Sequence, residues 1–266
     1  MKKIVKRIFK ITLLTFLTTI LTIGIIILFP QRLFAHEINY KEFTVYSNDI
    51  IYDNIKIVLE NALTLVEKSE LYDSGCKYNI ILCHNTFYNK IDDEFLGIGR
   101  AARATLNNVI IKVKIDPKRN LAFPTFHKAC ETNLTELIAH EMTHVLQANN
   151  YGILKFNPFK HPEFWKLEGY PEYISRQAAL SGKDYDLKKD IDDYIKLKST
   201  ADDIWILAEE GECEVPDYYY KGMLMIEYLI DIKHLSYDQI LKDTTSENAV
   251  YEEMIKWKNS VNETKN

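Results

Sequence analysis

Glycine, proline and cysteine are scarce in this chain, whose 266 residues include 9 Gly, 7 Pro and 4 Cys. The sequence also has no internal repeat and no low-complexity tract, which excludes fibrous and linker-rich architectures. An excess of positive charge is absent as well, because the formal net charge is −5 and the pI is about 5.9. A nucleic-acid-binding domain is expected to carry a basic surface and a high pI, so we expect no nucleic-acid partner.

The few cysteines do not form a zinc-thiolate pattern. Cys76 and Cys83 flank a predicted strand that would hold their Cα atoms roughly 20 Å apart, well beyond the ~7 Å limit for a disulfide. Cys130 and Cys213 can pair, but free buried thiols are the favoured interpretation for all four cysteines.

One long apolar run is present, since Ile11–Phe29 contains no charged residue. This run is long enough to cross a bilayer, and five basic residues precede it within the first ten positions. The positive-inside rule then predicts residues 1–10 in the cytoplasm, a transmembrane signal-anchor at 11–30, and an extracytoplasmic remainder. The alternative is a cleaved signal peptide, for which Leu33–Ala35 is a poor cleavage site.

For the rest of the chain we predict a linker and the start of the ectodomain at residues 31–46, followed by one domain at 47–266. Hydrophobic periodicity predicts a mixed α/β first half and a helical second half, joined near Tyr151–Phe164 with a cleft between them. We therefore predict an α+β fold. The predicted elements are helices at Ser47–Ser69, Asn133–Asn149, Pro171–Leu180, Asp190–Leu207, Asp217–Ile232, Tyr237–Lys242 and Glu247–Val261, and strands at Lys77–Cys83 and Asn108–Ile115.

The most informative motif is His140-Glu141-Met142-Thr143-His144, which has the form H-E-x-x-H. On a helix, residues i and i+4 share one face, so both imidazoles can bind one metal ion. Glu141 can then take a proton from a water activated at that metal. Asn133 is a predicted N-cap for this helix, and Gly152 lies just past its end.

A catalytic zinc site needs a third protein ligand. Metzincins place a Gly and a third His after the motif, where this chain has Gln147 and Asn150, so that class is excluded. Trp165–Tyr173 instead resembles the W-x-x-E-G-x-A-x-Y segment of gluzincins related to membrane alanyl aminopeptidases. The resemblance, which covers about 140–229, implies a thermolysin-like zincin fold with Glu168 as the third zinc ligand.

Two further features qualify this ligand set. Pro171 is tolerated in the first turn of a helix, so we expect Glu168 at or just before a helix start. Glu172, one turn further, can accept a hydrogen bond from a zinc-bound histidine. His161 and Glu163 are the alternative ligands.

Tyr218–Leu224 resembles the Y-x-K-G segment of the same relatives. Their tyrosine three residues before the glycine donates a hydrogen bond to the tetrahedral oxyanion, and the resemblance places it at Tyr219. Because three tyrosines are consecutive, Tyr218 and Tyr220 remain alternatives.

One departure weakens any aminopeptidase assignment. The relatives carry a G-x-M-E-N element whose Glu binds the substrate's amino group, whereas Gly97–Arg103 contains no such Glu. Asn108–Val113 is either an edge strand that pairs with an extended peptide or a buried core strand.

These observations predict a membrane-anchored, extracytoplasmic Zn²⁺ metallopeptidase that acts on a peptide or protein substrate. The absence of glycosylation-rich stretches and of cysteine pairs favours a bacterial cell membrane. A catalytically inactive zincin-fold binding module is the alternative, against which the intact Glu141 argues. A zinc hydrolase acting on a non-peptide amide, such as cell-wall material, is a weaker third hypothesis.

Overall fold

A long apolar helix, a mixed β-sheet and a group of packed helices follow one another along the chain. The computed structural model describes residues 2–97, 100–124, 130–153, 155–156, 161–180, 185–199, 205–207 and 214–263. Most of the described chain is helical, and a smaller part forms strands. The mixed first half and the largely helical second half match the predicted α+β class.

Helix α1 spans Lys2–Leu28 and continues into a short 3-10 turn at Pro30–Leu33. Its segment Ile4–Leu28 is long and apolar enough to cross a membrane, by length and composition. Most of its apolar side chains are exposed. The helix starts before the predicted span because Lys2–Lys10 also adopts helical backbone.

The C-terminal end of α1 is bound to the rest of the protein by side chains from the sheet region. The Tyr88 hydroxyl donates to the Ile27 carbonyl at 3.1 Å, and Asn108 Nδ2 donates to the Leu28 carbonyl at 2.9 Å. Gln31 Nε2 then donates to Asn108 Oδ1 at 2.7 Å. The residues that follow the apolar helix are therefore part of the folded domain.

The main sheet has five strands in the order β1-β2-β3-β5-β4. The pairs β2–β3 and β3–β5 are parallel, and β1–β2 and β4–β5 are antiparallel. Strand β1 and most of β2 lie in the segment 31–46, which was predicted to contain a linker and the start of the ectodomain. The strands are β1 His36–Tyr40, β2 Phe43–Ser47, β3 Tyr78–Leu82, β4 Ala102–Thr105 and β5 Asn108–Ile111.

The prediction of a single strand at Asn108–Ile115 is wrong, because the chain leaves the main sheet after β5. Lys112 is buried there and forms ion pairs with Asp92 and Asp93, at 2.9 and 2.5 Å. Strand β5 lies between β3 and β4, so it is a core strand and β4 is at the edge. A second, three-stranded sheet follows, formed by β6 Lys114–Asp116, β7 Leu121–Phe123 and β8 Thr132–Asn133.

Helices form most of the remaining described chain. The predicted helix at Ser47–Ser69 is shorter, because Ser47 belongs to β2, and residues 205–207 form a strand rather than the end of a helix. That strand, β9 Trp205–Leu207, pairs with β10 Glu214–Pro216. The helices after α1 are α2 Asn54–Val66, α3 Phe87–Leu96, α4 Leu134–Tyr151, α5 Phe164–Ser175, α6 Gln177–Leu180, α7 Leu187–Lys198, α8 Asp217–Glu227, α9 Tyr237–Lys242 and α10 Glu247–Glu263, with a π-helical segment at Tyr228–Ile232 that continues α8.

The prediction that Glu168 precedes a helix is also wrong. Helix α5 begins at Phe164, and Pro171 lies in its interior. The Glu163 carbonyl accepts the first backbone N–H groups, from Lys166 at 2.9 Å and Leu167 at 3.0 Å. Glu168 is therefore held on a regular helical turn rather than on a loop.

The cysteines divide into two groups. Cys76 and Cys83 are buried and free, as predicted for residues at opposite ends of a strand. Cys130 is disulfide-bonded, so the prediction of a free thiol is wrong there. Cys213 lies outside the described residues.

Helices α5 and α8 cross at a pair of glycines. A Cβ atom added to Gly169 would lie 2.6 Å from the backbone carbonyl carbon and oxygen of Gly222. One added to Gly222 would lie 3.2 Å from the Trp165 carbonyl oxygen. No side chain can be inserted at Gly169 without separating the two helices.

We expect Gly169→Ala to lower the free energy of unfolding by about 3 kcal/mol, because overpacking forces the backbones apart. Gly222→Ala is expected to cost less, since its new contact is longer. Gly24→Ala is the matched control, because nothing lies within 4 Å of the added atom. Urea unfolding of the full chain in detergent measures all three, and a neutral Gly169→Ala would contradict the crossing.

Candidate metal centre

Helix α4 carries the H-E-x-x-H motif and is capped as predicted. The Asn133 side chain accepts a hydrogen bond from the Glu136 backbone N–H, and Gly152 ends the helix with a positive φ of 85°. His140 and His144 lie one turn apart on the same face, with ring centroids 4.9 Å apart. The helix therefore presents both imidazoles in one direction.

Glu168 on α5 meets these two histidines. Its Oε2 lies 3.3 Å from His140 Nε2 and 3.2 Å from His144 Nε2. The two Nε2 atoms are 3.2 Å apart. These three residues form the only group of three or more His, Cys, Asp or Glu able to hold a metal ion among the residues that the structure describes.

The spacing of the three atoms fits a small tetrahedral ion. A zinc ion with bonds of 2.0–2.1 Å to nitrogen and oxygen separates neighbouring ligand atoms by about 3.3–3.4 Å. The observed separations of 3.2–3.3 Å form a nearly equilateral triangle of this size. The three atoms therefore have the spacing of one face of a ligand tetrahedron.

The second nitrogen of His140 is bound by a carboxylate. Nδ1 lies 3.1 Å from Glu172 Oε2, and Arg176 holds the other carboxylate oxygen through Nε at 2.7 Å and a second guanidinium nitrogen at 2.6 Å. The predicted contact between Glu172 and a ligand histidine is thus present. Arg176 was not predicted, although its i,i+4 position after Glu172 on the helix could have indicated it.

The second nitrogen of His144 faces an amide. Nδ1 lies 2.7 Å from Gln147 Oε1, which can only accept a hydrogen bond. Sequence reasoning used Gln147 only to exclude metzincins and missed this contact. The i,i+3 spacing from His144 on one helix was the available signal.

The hydrogen bonds of the two rings determine what their Nε2 atoms can do. Each Nδ1 faces an oxygen acceptor and so carries a hydrogen. In a neutral ring, Nε2 then has no hydrogen and presents a lone pair. Two lone pairs and one carboxylate oxygen then point at a common centre. Such a set needs a cation there, either a metal ion or protons on the rings.

In the absence of a metal, the surrounding charges favour protonation of the two histidine rings. Burial alone would lower the pKa of His140, but hydrogen bonds to Glu168 and Glu172 overcome it and raise the pKa to about 10. The pKa of Glu168 is displaced far below its usual range, since the charge of His144 and the ring hydrogen bonds outweigh burial. Burial alone would raise the pKa of Glu172, but the charge of Arg176 and the hydrogen bond with His140 lower it to about 2.

Glu141 lies beside the ligands without being one of them. Its side chain is buried, with 6% exposure, and no described residue forms a hydrogen bond to its carboxylate. Burial raises its pKa, and the charges of His144 and His140 only partly oppose that shift. A carboxylate with a raised pKa and no hydrogen-bond donor beside it is suited to accept a proton.

The three consecutive tyrosines have different surroundings. The Tyr219 ring contacts the His140 ring edge-on, with centroids 5.7 Å apart. Tyr218 packs against Phe164, and the Tyr220 hydroxyl donates to Asp190. Tyr219 is therefore the tyrosine of the three that the structure places at the group.

The alternative ligands are not part of this group. Glu163 accepts a hydrogen bond from Trp165 Nε1 at 2.7 Å, and His161 contacts the Pro162 carbonyl at 2.7 Å. His84 and His234 are outside the group as well. His127 lies outside the described residues, so its surroundings are not described.

Comparison of the chain with protein-family models, curated proteins and solved structures found no match. The resemblance to gluzincins therefore stays a prediction from the motifs. The geometry of the group does not depend on that resemblance.

With Zn²⁺ as the probe metal, we expect binding to release at least one proton between pH 6 and 9. The reason is that His140 must lose the proton that Glu168 and Glu172 stabilise. Raising the pH should then tighten the zinc Kd about tenfold per unit. Calorimetry in buffers of different ionisation enthalpy measures the release.

The control for this titration is His36→Gln, which removes an exposed histidine from β1. It should leave the pH dependence unchanged. A zinc Kd that does not vary with pH in the unaltered protein would contradict a protonated His140.

Proposed function

We propose that the protein is a membrane-anchored zinc metallopeptidase of gluzincin type. The observation that carries the proposal is the triangle of His140 Nε2, His144 Nε2 and Glu168 Oε2, with Glu141 and Tyr219 beside it. Zinc is favoured over harder cations because two of the three ligand atoms are imidazole nitrogens. When bound, zinc supplies a Lewis acid that lowers the pKa of a coordinated water to about 7.

The chain's own groups perform the proton transfers. Glu141 accepts the proton of the attacking water and passes it to the nitrogen of the leaving amine as the peptide C–N bond breaks. The Tyr219 hydroxyl donates a hydrogen bond to the oxyanion that forms at the attacked carbonyl. Burial raises the pKa of Tyr219 well above its usual value, so the phenol stays protonated and can donate.

A peptide substrate is favoured by the position of β4. This strand pairs with β5 on one side only and contacts α4, the helix that carries the motif. Among the described residues no strand pairs with its other edge. An extended peptide that adds to this edge would pass next to the metal ligands.

An uncleaved anchor is favoured by the contacts at the end of α1. Pro30 is buried, and Phe34 packs edge-on against Tyr88 with ring centroids 6.1 Å apart. Cleavage after Ala35 would remove these contacts together with the hydrogen bonds to Ile27 and Leu28. The basic residues before α1 then favour a single-pass protein with the catalytic domain outside, in a bacterial cell membrane.

Glu141→Gln should keep zinc bound but lower kcat for peptide cleavage by about 10²–10⁴-fold, because the amide cannot accept the proton. Cleavage of a quenched-fluorescence peptide library by the full chain in detergent measures this loss. Glu163→Gln is the matched control and should cleave normally. Undiminished cleavage by Glu141→Gln would show that another group acts as the base.

Tyr219→Phe should lower kcat by about 10²–10³-fold with little change in KM, since the lost hydrogen bond is made to the oxyanion only. Tyr220→Phe removes a neighbouring hydroxyl that contacts Asp190 rather than the metal ligands, and is expected to leave kcat near its original value. Equal losses in the two variants would assign the effect to packing.

A further inference from the structure

We infer that Gln147 is a positioning residue that orients His144 toward the metal, and that Pro171 makes this possible by leaving a carbonyl group free. The inference rests on the proposed metal centre and concerns how its second histidine is held. It is carried by a chain of hydrogen bonds that runs from α4 through α5 to α9.

Gln147 is fully buried, with 0% exposure. Its Oε1 lies 2.7 Å from His144 Nδ1, and its Nε2 donates to the Leu167 carbonyl at 3.0 Å and to the Tyr237 hydroxyl at 2.7 Å. The Tyr237 hydroxyl in turn donates to the Lys166 carbonyl at 2.9 Å. Both hydrogens of the amide and its oxygen therefore have partners.

These partners permit only one orientation of the amide. The Leu167 carbonyl can only accept, so it must face Nε2 rather than Oε1. The Tyr237 hydroxyl has given its hydrogen to the Lys166 carbonyl and so accepts from Nε2 as well. A flipped amide would place its oxygen against two acceptors in a buried site, at a cost of several hydrogen bonds.

Pro171 explains why the Leu167 carbonyl is available. In a regular helix this carbonyl would accept the backbone N–H of the residue four positions later, which is Pro171. Proline has no N–H, so the carbonyl is left without its helical partner. Gln147 Nε2 supplies the missing donor from a neighbouring helix.

The consequence reaches the metal ligand. Because Oε1 is the atom that faces His144, Nδ1 of that ring must carry the hydrogen, and Nε2 presents a lone pair toward Glu168 and His140. Pro171 in α5 thus selects the tautomer of a histidine in α4. Glu172 performs the equivalent task for His140 by a separate contact.

The first test is Gln147→Leu in the full chain, purified in detergent. We expect its zinc Kd, measured by competition with a chromophoric chelator, to weaken about 10–100-fold. We also expect the hydrogen-bonded Nδ1–H signal of His144 to disappear from the NMR spectrum of the zinc-loaded protein. Thr143→Val is the matched control, because it removes a buried hydroxyl from the same helix. That hydroxyl donates to the Ala139 carbonyl at 2.8 Å and does not contact His144 Nδ1.

The second test is Pro171→Ala, which keeps the amide and its packing. The new N–H competes with Gln147 for the Leu167 carbonyl, so zinc affinity should fall about two- to tenfold, the equivalent of one hydrogen bond. The helix itself should become more stable, because proline in a helix interior is unfavourable. A higher unfolding midpoint together with weaker zinc binding is a pair of effects that a purely structural role of Pro171 does not produce.

The outcomes separate the two proposals. If Gln147→Leu or Pro171→Ala binds zinc as tightly as the unaltered chain, the positioning role is overturned and the peptidase proposal stands. If zinc binding follows the expected order but no peptide is cleaved, the peptidase proposal fails and the positioning role stands. If the unaltered chain binds no zinc, both are overturned.

Discussion

The close approach of Gly169 and Gly222 is the constraint on which the candidate metal centre depends. It brings α5 and α8 together with their backbones in contact, at a distance that any side chain at Gly169 would prevent. Glu168 immediately precedes the first glycine, and Tyr219 lies one turn before the second. The crossing therefore places the carboxylate of Glu168 and the phenol ring of Tyr219, from two different helices, next to the histidines of α4.

His140 is buried and His144 and Glu168 are partly buried, and burial makes unpaired polar groups costly. Each ligand histidine accordingly has a partner for its second nitrogen, Glu172 for His140 and Gln147 for His144. Arg176 balances the charge of Glu172. With these contacts satisfied, the negative charge of Glu168 and two ring nitrogens remain at a common centre, an arrangement that is able to hold a metal ion.

Local sequence signals predicted part of the helical structure correctly. The N-cap at Asn133 and the boundaries Tyr237–Lys242 were predicted correctly from capping and periodicity. Strand β1 was missed because it contains a single aliphatic residue, Ile38, and is largely exposed, so it lacks the apolar alternation of a half-buried strand. Strand β2, which pairs with it, was missed as well. After Ile111, Lys112 is buried and forms ion pairs with Asp92 and Asp93 of α3, contacts that a local sequence pattern does not reveal.

The placement of two histidines one turn apart, with the carboxyl group of Glu141 beside them, was determined by the sequence itself, since the geometry of a single helix is enough to place them. The third ligand, Glu168, was predicted by resemblance, but its position inside α5 was not. Which of three tyrosines faces His140, and which nitrogen of His144 carries a hydrogen, only the tertiary structure decided. Both depend on contacts between helices that lie far apart along the chain, and no local pattern records such contacts.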